Sequence, residues 1–325
     1  MTATVHINGV SSPAPAGASL FDMADQLGVT VPTSCRSQGK CKECLVEIVR
    51  GMELLSPPTP AEGHLRERFR LSCQCRVAAE EGVVECHTMR RGLMRIERHA
   101  PQLAPHWQQS ARDPAVTRAG GRVLLDGQPI AEAGRGLYGL ALDLGTTTIV
   151  LRLFDLESGE QLADASFENP QRFGGSDVMA RIHYDETHRG RVLRRTLAGY
   201  LSRAIEELPV EPHEIYEMVV AGHSTMRGMF FGVSGQSIRQ SPHQSITEVE
   251  LAEGRRTTTS LAATARQCLL PIHPQARVYG LPIISGHVGA DAAACMLAVD
   301  LANESRVGAI LDLGPNTELV VGNRD

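Results

Sequence analysis

Apolar and polar positions alternate with a period of two in several short stretches of the first 90 residues, as they do in half-buried strands. ATVHING, CLVEIVRG and VVECH follow this pattern, and Asn8-Gly9 predicts a tight turn after the first strand. SLFDMADQLGV changes to helical spacing, and Ser19 is the predicted N-cap of that helix. The pattern therefore predicts a small mixed sheet with one helix over residues 1–90.

A second pattern begins near residue 136. GLYGLALDLGTTTIVLRLFDLESGEQLADASFE predicts three strands joined by a Gly-Thr-rich turn and a Ser-Gly turn. RVGAILDLGPNTELVVGN, close to the end of the sequence, repeats the order strand, Asp-Leu-Gly, polar turn, strand. Between the two patterns, scattered prolines and Gly120-Gly121 predict a linker over residues 91–135. We therefore expect a second, α/β domain over residues 136–325.

Composition narrows the class of protein. The 325 residues carry a net charge of −5 and a pI near 6.2, which argues against nucleic acid as a partner. No apolar stretch approaches the roughly 20 residues that span a bilayer, so no membrane partner is expected. Eight cysteines are too few for a disulfide framework. We therefore expect a cytoplasmic protein whose thiols stay reduced.

Four of the cysteines have the spacing of a plant-type 2Fe-2S ligand shell, with three in one loop and one distant. They are Cys35, Cys41, Cys44 and Cys73. A structural zinc site remains an alternative, but zinc ribbons need two short CxxC knuckles and only one is present. Cys75 lies two residues after Cys73 and could replace it. Cys86, Cys268 and Cys295 lack partners at ligand spacing and are expected to be buried.

The two Asp-Leu-Gly turns predict a phosphate and metal grip. Asp143 and Asp312 can hold a hydrated Mg²⁺, which prefers one or two carboxylates together with phosphate oxygens. Backbone N–H groups and hydroxyls in the turns can donate to phosphates; the residues are Gly145, Thr146, Thr147, Thr148, Gly314 and Asn316. An ordinary strand turn is the alternative for each turn alone. The GxxxxGK[ST] P-loop pattern is absent from the sequence.

Together these features resemble known families. RLSCQ and the cysteine loop resemble 2Fe-2S ferredoxins, and the paired turns resemble the phosphate motifs of the ASKHA superfamily, which includes actin, sugar kinases and Hsp70 proteins. ENPQRFGGSDVMARI, AGHSTMRGMFFG and PIISGHVGADAAACMLA further resemble the ATP-dependent reductive activators of corrinoid proteins. The resemblance implies an α+β β-grasp ferredoxin-like domain, a linker and an α/β actin-like (ASKHA, RNase H-like) domain.

The resemblance also implies a function. Such activators return a corrinoid protein of a methyltransferase system from Co(II) to Co(I) with one electron. The electron comes from an upstream donor through the 2Fe-2S cluster, and ATP with Mg²⁺ assists. In this sequence the implied cluster ligands are the four spaced cysteines, and Asp143 and Asp312 would handle the metal. The sequence ends directly after the second turn's hairpin, so we expect an incomplete ASKHA domain and leave ATP turnover open.

Two alternatives to this function remain. The chain could be a 2Fe-2S electron-transfer ferredoxin with a vestigial nucleotide-binding domain. It could also be a nucleotide-dependent kinase-like or chaperone-like module whose cysteines hold zinc. Three local expectations complete the analysis. Ser224 caps the helix TMRGMFF, ITEVELAEG forms a surface strand, and His287 with Asp291 shares one face of a helix.

Overall fold

The computed structural model describes residues 2–33, 35, 37–66, 68–89, 107, 114–188, 190–314 and 317–325. The chain divides into two compact units. Unit 1 comprises residues 1–95, 167–176 and 183–203, and unit 2 comprises residues 96–166, 177–182 and 204–325. Among the described residues, no helix is both long enough and apolar enough to cross a membrane.

Unit 1 is built around a five-stranded mixed sheet. Its strands are β1 (Ala3–Ile7), β2 (Val10–Ala14), β3 (Leu45–Arg50), β4 (Phe69–Leu71) and β5 (Val83–Thr88), in the order β2-β1-β5-β3-β4. β1 and β5 run parallel, and the other neighbouring pairs run antiparallel. Asn8 and Gly9 both have positive φ angles, so the predicted tight turn joins β1 to β2.

The helix α1 (Leu20–Gln26) is stabilised both by its N-cap and by the burial of its apolar face. The Ser19 hydroxyl accepts a hydrogen bond from the Asp22 N–H, as predicted for an N-cap. Leu20, Met23 and Ala24 are buried against the sheet core. Short 3₁₀ turns occupy Met52–Leu54 and Pro60–Glu62 of the same unit.

A buried ion pair fixes the segment between these turns and β4. Glu62 and Arg70 are each almost completely buried, and Arg70 Nε donates to Glu62 Oε1 at 2.8 Å. The same carboxylate accepts from the Leu71 N–H at 3.0 Å and from the Thr59 N–H at 2.8 Å. Because every oxygen of Glu62 is used, the pair ties two loop segments to the strand that precedes Cys73.

The rest of unit 1 comes from later in the sequence. It includes a 3₁₀ turn at Pro170–Gly174 and parts of α2 (Val178–Thr187) and α3 (Val192–Glu206). The Tyr184 hydroxyl donates to the His64 carbonyl at 2.8 Å, and Phe173 packs edge-on against both rings. Long-range packing of this kind gives no pattern in a single sequence, so the sequence analysis did not place these residues in the first unit.

Unit 2 contains a six-stranded sheet with one antiparallel half and one mostly parallel half. Its strands are β9 (Tyr138–Leu144), β10 (Thr148–Asp155), β11 (Gln161–Glu168), β12 (Ile215–Gly222), β13 (Leu261–Thr264) and β14 (Arg277–Gly280), in the order β11-β10-β9-β12-β14-β13. β9 and β10 form an antiparallel hairpin, while β12 runs parallel to β9 and to β14. A separate hairpin is formed by β15 (Gly308–Leu313) and β16 (Thr317–Gly322).

The helices of unit 2 connect these strands. They are α4 (Ser224–Phe231), α5 (Gln236–Arg239), α6 (Ile246–Ala252) and α7 (Ala290–Ala298), with 3₁₀ turns at Pro212–Glu214 and Leu301–Asn303. The surface strand expected at ITEVELAEG is wrong, because this segment forms α6. Ser245 and Glu248 make a reciprocal capping box at its start, which satisfies two N–H groups that a strand would leave open.

Residues of the predicted linker also form regular structure. Within residues 91–135, the strands β6 (Val116–Ala119), β7 (Arg122–Leu125) and β8 (Gln128–Glu132) make a three-stranded antiparallel sheet. Val116 and Val123 are buried together with Leu137 and Tyr216 in a small core of their own. The glycine pair that indicated a linker is the turn between β6 and β7. Residues 91–106 and 108–113 lie outside the described residues.

Candidate functional sites

The four spaced cysteines sit at the ends of two paired strands and in the loop before them. Cys44 immediately precedes β3, and Cys73 follows β4 by two residues. The strands pair with Leu45 opposite Leu71, and the Ser72 N–H donates to the Cys44 carbonyl at 2.7 Å. The sulfurs of Cys44 and Cys73 consequently lie 3.2 Å apart. The strand pairing thus brings the distant cysteine to the loop.

A glycine and a lysine hold the loop that carries Cys35 and Cys41 close to the segments around Ala61 and Gln74. Gly39 has φ +69°, and a Cβ at this position would lie 3.0 Å from Gln74 Cδ and 3.1 Å from the Ala61 Cβ. Lys42 Nζ donates to the carbonyls of Gly39 and Ala61 at 2.7 and 2.6 Å. The glycine and the lysine therefore fix a tightly packed path for this loop.

Hydrogen bonds favour the thiolate form at two of these cysteines. A hydrogen bond from Cys44, assisted by the Gln74 side chain and the Gly39 N–H, lowers the pKa of Cys73 to about 6. Burial opposes ionisation of Cys35, but hydrogen bonds from Cys41 and the neighbouring backbone lower the pKa of Cys35. The pKa of Cys44 is raised by the contact with Cys73 and by burial, because two adjacent thiolates repel without a cation.

Cys75 has a different environment from Cys73. It is fully buried in the core of unit 1, where burial raises the pKa of its thiol to about 12. Cys86 lies in the same core and has a pKa raised to about 12 for the same reason. These environments favour Cys73 as the ligand and describe Cys75 as a small core residue.

The donor set fits a 2Fe-2S cluster. Four cysteine sulfurs are the shell that such a cluster requires, and two of them, those of Cys44 and Cys73, lie 3.2 Å apart. Among the described residues, no three His, Cys, Asp or Glu side chains converge on a point suited to a single metal ion.

The second site is a cleft of about 660 Å³ in unit 2, at the edge where two parallel strands end. β9 ends at Leu144 and β12 at Gly222, and these residues pair directly. The turns that follow the two strands therefore start side by side, as they do at ligand sites of α/β sheets. One turn carries the predicted residues Gly145, Thr146, Thr147 and Thr148, which all line the cleft together with Asp143.

Gly145 is required by the shape of the first turn. Its N–H donates to the Thr148 carbonyl at 3.0 Å, and a Cβ at Gly145 would lie only 2.6 Å from that oxygen. The hydroxyl of Thr146 is largely buried, whereas Thr147 is exposed in the same turn. The turn therefore offers backbone and hydroxyl donors beside the carboxylate of Asp143.

The cleft concentrates negative charge. Desolvation by the surrounding cleft walls, with Asp291 and Asp312 nearby, raises the pKa of Asp143 to about 6, although this residue is exposed to the open cleft. Burial and Asp291 also raise the pKa of Asp312 and of Glu318. Asp312 and Glu318 face each other across the β15–β16 hairpin, and like charges in that position repel. No three of these carboxylates converge on one point among the described residues, so a hard divalent cation would take one or two of them together with phosphate oxygens and water.

The structure brings the predicted nucleotide residues Asp143, Asp312 and Gly314 into one cleft. Asn316 lies outside the described residues. The sequence analysis missed Asp291, Glu318 and His223, which also line the cleft, and it expected Cys295 to be buried, which is wrong. Cys295 is exposed because it points from α7 into the open cleft.

Asp291 reaches the cleft through a close approach that no local pattern in the sequence indicates. The glycine before α7, Gly289, leaves no room for a side chain, since a Cβ there would lie 2.6 Å from the His223 Cα and 2.7 Å from the Gly222 carbonyl. Asp291, in the first turn of α7, consequently lines the cleft. The expected helical pairing of His287 with Asp291 is wrong, since α7 begins at Ala290.

Comparison with known proteins defines the class: a 2Fe-2S domain joined to an actin-like α/β domain. The model of the 2Fe-2S iron-sulfur cluster binding domain matches residues 4–78, and that of the RACo middle region matches residues 138–304. Since the second match covers more than half of the chain, this protein belongs to the family that carries the RACo middle region. The ferredoxin-like and α/β fold expectations are thereby confirmed.

Two curated relatives and one solved structure support this membership. The chain is 29% identical over 211 residues to the "Corrinoid activation enzyme RamQ" of Eubacterium limosum, covering 63% of this chain and 34% of the relative. It is 23% identical over 202 residues to the "[Co(II) methylated amine-specific corrinoid protein] reductase" of Methanosarcina barkeri, covering 58% and 35%. This chain therefore spans about a third of the length of these relatives.

The solved structure is titled "Reductive activator for corrinoid,iron-sulfur protein". It matches 99% of this chain and 61% of its own, with 21% sequence identity and a TM-score of 0.59. At this identity the likeness concerns the fold, and it extends across both units.

Proposed function

We propose that this chain supplies the electron-transfer and nucleotide-binding parts of an ATP-dependent reductive activator of a corrinoid protein. Cys35, Cys41, Cys44 and Cys73 hold a 2Fe-2S cluster, which accepts one electron from an upstream donor and passes it on. The single observation that carries the proposal is the joining of this cysteine set to an acidic phosphate-type cleft in one chain. Relatives named as corrinoid activation enzymes support the choice of acceptor.

The residues of unit 1 prepare the cluster site. Hydrogen bonds that lower the pKa of Cys73 and Cys35 keep these sulfurs ready to ligate as thiolates. The Gln74 amide also contacts the Cys73 sulfur at 3.5 Å, and donors near ligating sulfurs raise the reduction potential. The chain thereby sets how readily the cluster gives up its electron.

The residues of unit 2 prepare the nucleotide site. Asp143 and Asp312 hold Mg²⁺, and the turn from Gly145 to Thr148 donates to the phosphates, with Gly314 and Asn316 from the second turn. Because Asp143 and its neighbours repel one another, binding of the metal–nucleotide complex relieves that repulsion. Coupling to a partner follows if the metal–nucleotide complex binds this cleft more tightly in one state of the chain than in another.

The test uses this chain after anaerobic reconstitution with iron and sulfide. A chemical reductant serves as the upstream electron donor. A corrinoid protein held as Co(II) is added, and Co(I) is followed by visible absorption with and without MgATP. We expect one electron per cobalt, strict dependence on the cluster, and faster reduction with MgATP. Reduction at the same rate without MgATP would favour the simple ferredoxin alternative, and no reduction of cobalt by the cluster-loaded protein would contradict the activator function.

A further inference from the structure

The cleft of unit 2 contains a buried histidine that the proposed function has not used. His223 is the N-cap residue of α4 and is only 5% exposed, yet it lines the cleft beside Asp143 and Asp291. The expectation that Ser224 caps this helix is wrong. Ser224 is the first helical residue, and its hydroxyl donates to the Ser285 carbonyl at 2.6 Å.

The cap fixes the protonation of the ring. His223 Nδ1 accepts a hydrogen bond from the Thr225 N–H at 3.2 Å, so Nδ1 carries no proton. In a neutral imidazole the proton then resides on Nε2, which becomes a donor. Burial, together with nearby His287, lowers the pKa of His223 to about 4, and this supports the neutral ring at physiological pH. The ring makes no other hydrogen bond within the described part of the chain.

The position of the ring is set by close backbone contacts. Gly222 has φ +148°, and a Cβ there would lie 2.4 Å from the Leu144 carbonyl. Gly289 approaches the His223 Cα from α7 just as closely, and Ser224 is tied to Ser285. The Nε2–H is therefore a preorganised donor in a cleft edge that side chains cannot easily move.

The rest of the cleft wall makes this donor chemically distinctive. Among the described residues that line the cleft, four are acidic and none is Lys or Arg. When a polyphosphate binds with its metal ion, the carboxylates can contact the metal. The phosphate oxygens need N–H or O–H donors. Threonine hydroxyls are the side-chain donors of the turn that follows β9. His223 is the side-chain nitrogen donor of the turn that follows β12.

We propose that His223 is a phosphate-binding residue of this cleft, whose Nε2–H donates to an oxygen of the phosphate chain of the bound metal–nucleotide complex. The inference rests on the proposed nucleotide function and deepens it. It separates two roles of one ring: Nδ1 holds the helix and Nε2 holds the ligand.

Two substitutions separate these roles. His223→Ser keeps a hydroxyl that caps α4, but the short side chain does not reach the cleft. His223→Gln keeps an amide donor at similar reach, but glutamine is a poor N-cap. We expect His223→Ser to weaken MgATP binding about ten- to a hundredfold with an unchanged melting temperature, as for a hydrogen bond to a charged group. We expect His223→Gln to lower the melting temperature and keep the affinity within about threefold.

The measurement is isothermal titration calorimetry of the full chain with MgATP, paired with Mn²⁺ binding in the absence of nucleotide. Because His223 is not a metal ligand in this proposal, Mn²⁺ affinity should be the same in His223→Ser and wild type. Equal MgATP affinity in wild type and His223→Ser would overturn the inference and leave the proposed function intact. A parallel loss of affinity and stability in both variants would also overturn it. Failure of the wild type to bind MgATP would overturn the nucleotide function and this inference together.

Discussion

Cys73 of unit 1 and Asp143 of unit 2 have pKa values that shift in opposite directions. Around Cys73, hydrogen-bond donors lower the pKa and stabilise the anion before any iron arrives. Around Asp143, desolvation by the cleft walls and neighbouring carboxylates raise the pKa and destabilise the anion. The first site stabilises one thiolate in advance, while the raised pKa of the adjacent Cys44 shows that the sulfur pair still needs a cation. In the second site, neighbouring carboxylates repel one another until a cation binds, and this arrangement suits reversible binding of a ligand.

The largest effect is expected when one cysteine of the cluster site is removed. Cys73→Ala should reduce iron from about two per chain to almost none, because a 2Fe-2S cluster needs four protein ligands. Its matched control is Cys75→Ala, two residues away and buried in the core. This control should keep its iron and its visible spectrum, losing only about 1 kcal/mol of stability. Iron analysis of both variants decides the ligand; iron lost from Cys75→Ala and kept by Cys73→Ala would reverse the assignment.

The next effect concerns the ion pair that supports the cysteine site. Glu62→Gln should lower the free energy of unfolding by about 3–5 kcal/mol, because Arg70 would keep a buried charge without its partner. Glu53→Gln, an exposed position on the same segment, should change it by less than about 0.5 kcal/mol. Chemical denaturation of both variants measures the difference, and equal stabilities would contradict the role of the pair.

The same pair predicts a pH dependence. Burial opposes ionisation of Glu62, but hydrogen bonds from Arg70, Thr59 and Leu71 outweigh it and lower the pKa below its usual 4.5. A lowered folded pKa contributes stability above the unfolded pKa, and this stability is lost as pH falls through the folded value. Wild-type stability should therefore fall below about pH 4.5 more steeply than that of Glu62→Gln.

In the acidic cleft, removal of a carboxylate should have a different result. Asp143→Asn should weaken Mn²⁺ and MgATP binding about ten- to a hundredfold, since a metal ligand is lost. The melting temperature without metal should not fall, because a repelling charge has also been removed. Glu160→Gln removes one exposed charge from unit 2 and should change neither quantity. A clear loss of stability in metal-free Asp143→Asn would contradict the stored repulsion.

The smallest effect tests how closely the cysteine loop is packed. Gly39→Ala and Gly28→Ala place an alanine at nearly equal φ angles, +69° and +67°. Both should cost about 1 kcal/mol from backbone strain. Only Gly39 has neighbours within contact distance, so only Gly39→Ala should change the visible spectrum and iron content. Equal spectra of the two variants would show that the loop has room to spare.

Local signals in the sequence predicted much of unit 1. The Asn8-Gly9 turn, the Ser19 cap and the cysteine spacing each depend on residues within a few positions, and all appear in the structure. The packing of Tyr184 and Phe173 in this unit was not predictable, because it joins segments more than 100 residues apart.

In the cleft, too, the residues within one local motif were predicted and those brought there by long-range packing were not. The first turn, Asp143 to Thr148, was predicted because strand, acid and glycine are adjacent in sequence. His223 and Asp291 were missed because only the pairing of β12 with β9 and the close approach at Gly289 bring them there. A histidine also caps helices less often than the serine beside it, so the propensity rule selected Ser224.

The central claim is that these cysteines hold a redox-active iron–sulfur cluster. Electron paramagnetic resonance of the anaerobically reconstituted and reduced protein tests it most directly. We predict one axial or rhombic signal, equivalent to about one unpaired electron per chain, that is absent from Cys73→Ala. A red-brown colour that never forms, with no signal and no bound iron in the wild type, would contradict the account.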